Sequence, residues 1–174
     1  GLLEQVEDLF NEAPSRNVDL WNALISFYAK HKLSKEVLEC LKQMQLEGVF
    51  PDAITYACSL KACNNISAIE KGREIHCVIE NASFVDKNSV IGNVLVDMYA
   101  KFVLIVEAEY VFQRLLTTDV VSWNAMRIEL IEHGCFDETL NCFEMMELDG
   151  IVPDSITFIC GLLACRSKDA IDKG

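Results

Sequence analysis

Val18-Asp19-Leu20-Trp21-Asn22-Ala23 returns, about 102 residues later, as Val120-Val121-Ser122-Trp123-Asn124-Ala125. The register then holds. Gly48-Val49-Phe50-Pro51-Asp52 is answered by Gly150-Ile151-Val152-Pro153-Asp154, and Ile54-Thr55-Tyr56-Ala57-Cys58 by Ile156-Thr157-Phe158-Ile159-Cys160. Ala68-Ile69-Glu70-Lys71-Gly72 is answered by Ala170-Ile171-Asp172-Lys173-Gly174. Self-similarity at a fixed spacing is the mark of a repeat architecture, and this period is longer than one helical-repeat unit.

The long period subdivides into helical hairpins. Between Val18 and Asp52, Leu24, Ile25, Tyr28 and Ala29 share one helical face, and Val37, Leu38, Leu41 and Met44 share another. Gly48 followed by Pro51 reads as a helix stop, repeated at Gly150 and Pro153. Ser67-x-x-Glu70 reads as a capping box opening a second helix. A single hairpin cannot bury both its faces, so neighbouring units must stack around a continuous core. The expected class is all-α, an α-solenoid of helix-turn-helix repeats. Residues 1–17 match only the second half of the unit ending at Asp119, and the last residues reach only the opening of a second helix, which implies a piece of a longer array.

Composition agrees with a folded, water-facing chain: 51% of its 174 residues are hydrophobic and 24% charged. The longest apolar run, Phe102-Val103-Leu104-Ile105-Val106, falls well short of a membrane span. The opening Gly1-Leu2-Leu3-Glu4-Gln5 has neither the basic start of a secretory signal nor the character of an organellar transit peptide. The eight cysteines form no C-x-x-C pair and do not cluster with His31, His76 or His133 at zinc spacing, so they read as small buried hydrophobes and imply no metal or other cofactor. The net charge of -12 opposes generic attraction to nucleic acid, where Lys and Arg normally neutralise phosphates.

Unit boundaries fall near 18–52, 53–88, 89–119 and 120–154, with 1–17 a half unit and 155–174 a partial one. This unequal rhythm resembles the P, L and S triplet of plant pentatricopeptide-repeat proteins. Val90-Ile91-Gly92-Asn93-Val94-Leu95-Val96-Asp97-Met98-Tyr99-Ala100-Lys101 looks like the S-type opening, and Asp119-Val120-Val121-Ser122-Trp123-Asn124-Ala125-Met126 like the S-to-P junction. Leu60-Lys61-Ala62-Cys63 and Gly72-Arg73-Glu74-Ile75-His76 match the L-type unit. On this resemblance the order is half S (1–17), P (18–52), L (53–88), S (89–119), P (120–154) and partial L (155–174), in a right-handed α-solenoid. Two stretches depart from the family pattern: Phe102-Val103 replaces the usual Cys-Gly of the S-type turn, and Ile128-Glu129-Leu130-Ile131-Glu132 replaces the usual first-helix pattern of a P unit.

The resemblance implies single-stranded RNA read one base per repeat. The fifth positions carried over are Asn22, Ala57, Asn93 and Asn124, and the last positions Asp52, Asn88, Asp119 and Asp154. An amide offers both a donor and acceptors to a base edge, and a nearby carboxylate biases the choice. The Asn/Asp combination implies a pyrimidine, uracil ahead of cytosine. Ala57 with Asn88 makes a weaker base position. The second positions Ile54, Val90, Val121 and Ile156 would sandwich bases, with Asp19 breaking the series, and Lys30 and Lys101 would face phosphates. Each role has an ordinary alternative: helix capping for Asn and Asp, core packing for the β-branched residues, a solvated charge for Lys. Trp21 and Trp123 lie within the apolar period and read as core. His31 and His133 read as helix-end residues.

No glycine-rich phosphate loop, G-x-S-x-G elbow, H-E-x-x-H or zinc-deaminase H-x-E and P-C-x-x-C is present in this sequence, so it carries no catalytic constellation. The resemblance implies part of an organellar specificity factor, plastid or mitochondrial, for cytidine-to-uridine editing or another RNA-processing event. Its L-type units would meet protein partners such as editing cofactors; neither DNA nor membrane is an expected partner. The rival reading is a helical-repeat scaffold for protein interaction, which the acidic balance favours.

Overall fold

The computed structural model describes residues 1–82, 89–115 and 119–172, except for the side chains of 89 and 168–172. Among the described residues every regular element is helical: α1 (Leu2–Glu12), α2 (Val18–Lys30), α3 (Ser34–Leu46), α4 (Ala53–Asn65), α5 (Ile69–Asn81), α6 (Ser89–Lys101), α7 (Ile105–Gln113), α8 (Val120–Glu132), α9 (Phe136–Leu148) and α10 (Ser155–Asp172). No described helix is long and apolar enough to cross a membrane.

Two compact units divide the chain, Gly1–Val94 and Leu95–Gly174. In the first, α2 packs on α3, both pack on α4, and α5 folds back onto α4. Its core is built from the faces legible in the sequence: Leu24, Ile25 and Tyr28 from α2 cluster with Val37 and Met44 from α3, and Leu41 of α3 is also buried. Trp21 closes this core against Phe10 of α1, ring edge to face at 4.6 Å. In the second unit α8, α9 and α10 pack mutually, and Trp123 meets Phe112 of α7 in the same way at 4.4 Å. Both tryptophans are core residues, as their apolar period predicts.

One turn recurs in both units. Each described hairpin closes with three residues whose middle one has positive φ: Lys32 (59°), Ser67 (56°), Val103 (56°) and Gly134 (75°). The residue after it donates its N–H to the carbonyl five back, as in Leu33 to Tyr28 (2.9 Å) and Leu104 to Tyr99 (2.9 Å). These are Schellman closures, which satisfy helix-end carbonyls and demand a left-handed residue. Gly48 and Gly150 end α3 and α9 the same way, with φ of 73° and 70°, so the glycine stops act as expected.

Two expectations need adjusting, and one departure from the family pattern is accommodated. Ser67 does not open a capping box: the N-cap of α5 is Ala68, with no side-chain cap, because the chain uses Ser67 as the left-handed residue of the closure, and Ala68 N–H bonds the Cys63 carbonyl at 2.9 Å. Phe102-Val103 leaves the turn's hydrogen bonds intact, and its departure from Cys-Gly appears instead as a β-branched residue held at positive φ. The last helix, α10, runs unbroken from Ser155 to Asp172, where the sequence suggested a second helix opening near Ala170. In the first copy α5 packs back on α4 and holds that turn closed.

Candidate functional site

Asp52 is the N-cap of α4. Its Oδ1 accepts the backbone N–H groups of Ile54 (2.9 Å) and Thr55 (3.0 Å), and the Thr55 hydroxyl accepts from Asp52 N–H in return. This capping box uses only one carboxylate oxygen. The other, Oδ2, accepts from Asn22 Nδ2 of α2 at 2.9 Å. Thr55 Oγ donates to Asn22 Oδ1 at 2.7 Å. Asn22, Asp52 and Thr55 therefore form a closed network joining the first helices of consecutive hairpins.

The second unit joins the matching residues, with the capping and amide bonds both on Asp154 Oδ1. Asn124 Nδ2 donates to Asp154 at 2.9 Å, Thr157 Oγ donates to Asn124 Oδ1 at 2.8 Å, and Asp154 accepts Thr157 N–H at 2.8 Å. Both threonines are fully buried, and Asn22 and Asn124 are only 7% and 4% exposed. An ionised carboxylate only accepts, so each aspartate fixes which end of the amide is Nδ2. Each asparagine is left with one N–H and one carbonyl lone pair, held in a fixed orientation. Backbone N–H donation from Thr157, then the Asn124 amide, hold the Asp154 carboxyl below its ordinary value of 3.8.

Capping and amide positioning therefore coexist in one carboxylate at Asp52 and Asp154. Asp119 caps α8, accepting Ser122 N–H at 2.8 Å, and that bond lowers its pKa. Asn93 is exposed, unlike Asn22 and Asn124; it belongs to the first unit and Asp119 to the second. Ala57 is buried on α4 and offers no polar group, and Asn88 lies outside the described residues. Thr55 and Thr157 were missed in the sequence. Their signal was there: both stand three residues after a Pro-Asp pair, the spacing of a capping box.

The β-branched second positions are not core. Ile54, Val90, Val121 and Ile156 are 53%, 59%, 68% and 48% exposed, an unusual place for such residues on helices that bury most of their apolar surface elsewhere. Asp19 is exposed at the same position of α2, and Lys30 and Lys101 are exposed at the last residues of α2 and α6. In the second unit Val121, Asn124, Asp154, Ile156 and Thr157 thus make a complete set: a fixed amide edge and two exposed apolar side chains. His31 caps α2 with Nδ1 at 2.8 Å from the Phe27 carbonyl, and His133 caps α8. Among the described residues no group of three or more His, Cys, Asp or Glu side chains is placed to hold a metal ion.

The PPR repeat family matches residues 16–65, the span of α2, α3 and α4 that carries the first network. Over its length the chain is 35% identical to the Arabidopsis thaliana pentatricopeptide repeat-containing protein DOT4, chloroplastic, covering 100% of this chain and 20% of that one. It is 32% identical to the Arabidopsis thaliana pentatricopeptide repeat-containing protein At1g06140, mitochondrial, covering 99% and 31%. The chain belongs to the pentatricopeptide-repeat family. It spans about a fifth to a third of the length of these relatives. Its fold is that of the maize pentatricopeptide repeat protein PPR10, with a TM-score of 0.76 over 98% of this chain and 26% of that one at 20% identity. PPR10 has also been solved in complex with an 18-nt psaJ RNA element, with a TM-score of 0.73 to this chain. The helical-repeat solenoid class read from the sequence is therefore the fold of this pentatricopeptide-repeat chain.

Proposed function

We propose that this chain is a single-stranded RNA-binding segment of P-L-S order that selects bases through its Asn/Asp positions. The observation that carries this reading is the twice-built Asn–Asp–Thr network, Asn22–Asp52–Thr55 and Asn124–Asp154–Thr157. A buried amide whose orientation is fixed by a carboxylate presents one donor and one acceptor. Such a pair complements the edge of an unstacked base, and the preference for a pyrimidine is what the family resemblance implies for the Asn/Asp combination. The exposed Val121 and Ile156 would hold the base at Asn124 between apolar side chains, with Ile54 and Val90 acting likewise in their repeats. Asp19 in place of a β-branched residue weakens the first site. Asn93 and Asp119 carry the Asn/Asp combination that the family resemblance gives the S-type unit, Ala57 with Asn88 reads weakly, and Lys30 and Lys101 would face the phosphates.

The preferred tract is pyrimidine, any base, pyrimidine, pyrimidine from 5′ to 3′. The whole protein would act in plastid or mitochondrial RNA editing or processing, with L-type units available to protein partners; support comes from relatives named chloroplastic and mitochondrial. This segment is a binder and not an enzyme. The test is a binding assay on the longer protein with that tract against purine-substituted RNA, repeated with Asn93→Thr and Asn124→Thr. Each substitution is expected to change the preferred base at one position; unchanged preference in both overturns the assignment.

A further inference from the structure

We propose that the cleft between α1, α2 and α3 docks a basic segment of a protein partner, receiving a lysine or arginine side chain. The cleft has a volume of about 370 Å³ and lies wholly within the first unit. Phe10, Trp21 and Leu24 line it with apolar surface, and Glu7, Glu36 and Glu39 add carboxylates. None of these residues belongs to the Asn22–Asp52–Thr55 network. An aromatic floor beneath carboxylates suits a cation on an aliphatic stem, which packs its methylenes on the rings and leaves its charge among the acids. The same carboxylates repel phosphate, so this is not a nucleic-acid surface.

The cleft already holds an example of that chemistry. Arg16 lies with its guanidinium carbon 4.9 Å from the centre of the Phe10 ring and its Nη1 2.7 Å from Glu47 Oε1. Arg16 thus neutralises Glu47, Lys42 lies 3.8 Å from Glu39 and the Tyr28 hydroxyl donates to Glu7 at 2.8 Å, so Glu7, Glu36, Glu39 and Glu47 set against Arg16 and Lys42 leave the cleft with net negative charge. Trp21, 3% exposed, lines the cleft with an indole N–H that has no acceptor among the described residues, as does Trp123 in the second unit, so the carboxylates are what distinguish the first cleft. A peptide carbonyl is the kind of group that N–H lacks, and a buried unpaired donor is costly.

The second unit provides an internal comparison. A corresponding cleft of about 450 Å³ is lined by Phe112, Trp123, Leu148 and Asp149, among others, and Asp149 is the one carboxylate among its described lining residues. The hollow therefore recurs with the packing of the repeat, whereas the acidic lining is particular to the first copy.

The test is titration of the full chain with a short alanine peptide carrying lysines at alternate positions, and with its glutamate counterpart, followed by the two indole N–H resonances. The lysine peptide should shift the Trp21 resonance saturably and leave Trp123 in place; the glutamate peptide should shift neither. Glu36→Gln with Glu39→Gln should weaken binding about tenfold, and Glu144→Gln with Glu147→Gln, the same change in net charge outside the cleft, less than about threefold. All four glutamates are exposed, so both double variants keep the fold. Equal losses in the two, parallel shifts of both tryptophans, or no saturable shift would overturn the proposal.

Discussion

Replacing Thr157 by valine would remove one hydroxyl from the second network and nothing else. The side chain is fully buried, and valine has nearly its shape, so no cavity opens. Two interactions are lost: Oγ donation to Asn124 Oδ1 at 2.8 Å, and acceptance of Asp154 N–H at 3.1 Å. Each is worth about 1 kcal/mol net, and a buried partner left unsatisfied costs about 1–3 kcal/mol, so the expected loss is about 2–3 kcal/mol. For a chain of this size that lowers the midpoint of thermal unfolding by about 4–12 °C. Thr157→Ser keeps the hydroxyl and should recover most of the loss, less about 1 kcal/mol for the missing methyl. The assay is denaturant and thermal unfolding of the three proteins, with RNA base preference measured in parallel. Thr157→Val should blunt selection at the Asn124 repeat, because the amide loses one of its two anchors, and Thr157→Ser should not. If valine and serine behave alike in stability and selection, the hydroxyl does not position Asn124 and the reasoning fails.

Val103 sits at φ 56° where Gly134 occupies the matching turn, so Val103→Gly should stabilise by about 1 kcal/mol, and Gly134→Ala, with open space around its added Cβ, should destabilise by a similar amount in the same unfolding assay. Arg127 is fully buried where the first copy has Ile25, its Nε, Nη1 and Nη2 lack hydrogen-bond partners among the described residues, and its guanidinium lies 3.9 Å from the Phe143 ring centre. Burial lowers its pKa, and exchange for an unbranched apolar side chain, Arg127→Met, should stabilise by about 1–3 kcal/mol even after the ring contact is lost, as read from unfolding midpoints. Asp154 should titrate below 3.8 by carboxyl NMR and move back towards it in Asn124→Ala; since its folded pKa is the depressed one, its contribution to stability is present above the ordinary value and disappears as pH falls through the folded pKa.

The hairpins were legible because every boundary is written in local chemistry. Leu24, Ile25 and Tyr28 recur at helical spacing, and Gly48-x-x-Pro51 ends one helix before Asp52 caps the next. The Asn/Asp positions were legible as a recurrence, but not what joins them: the Asn22–Asp52 bond spans thirty residues, and Thr55 was legible only as part of the repeated stretch Ile54–Cys58. Ser67 misled because serine serves both an N-cap and a left-handed turn, and only the packing of α5 on α4 decides between them. The same limit hid Arg127. Its burial depends on Phe143 from α9 and on Gly161, whose missing Cβ leaves room for that ring: a side chain there would meet Phe143 Cε2 at 2.7 Å. Core packing or solvent exposure for Ile54, Val90, Val121 and Ile156 is likewise undecided by hydrophobicity alone, and their exposure separates them from the residues they resemble.

The central claim is that a fixed Asn–Asp–Thr network selects the base, and the most direct measurement of it is the affinity of the longer protein for four RNAs that differ only at the nucleotide facing the Asn124 repeat. Both pyrimidines should bind about tenfold more tightly than either purine, a difference of about 1.4 kcal/mol, and Asn124→Ala should erase that difference while leaving selection at the Asn22 repeat unchanged. Equal affinity for all four RNAs, or a pyrimidine preference that survives Asn124→Ala, would contradict the account.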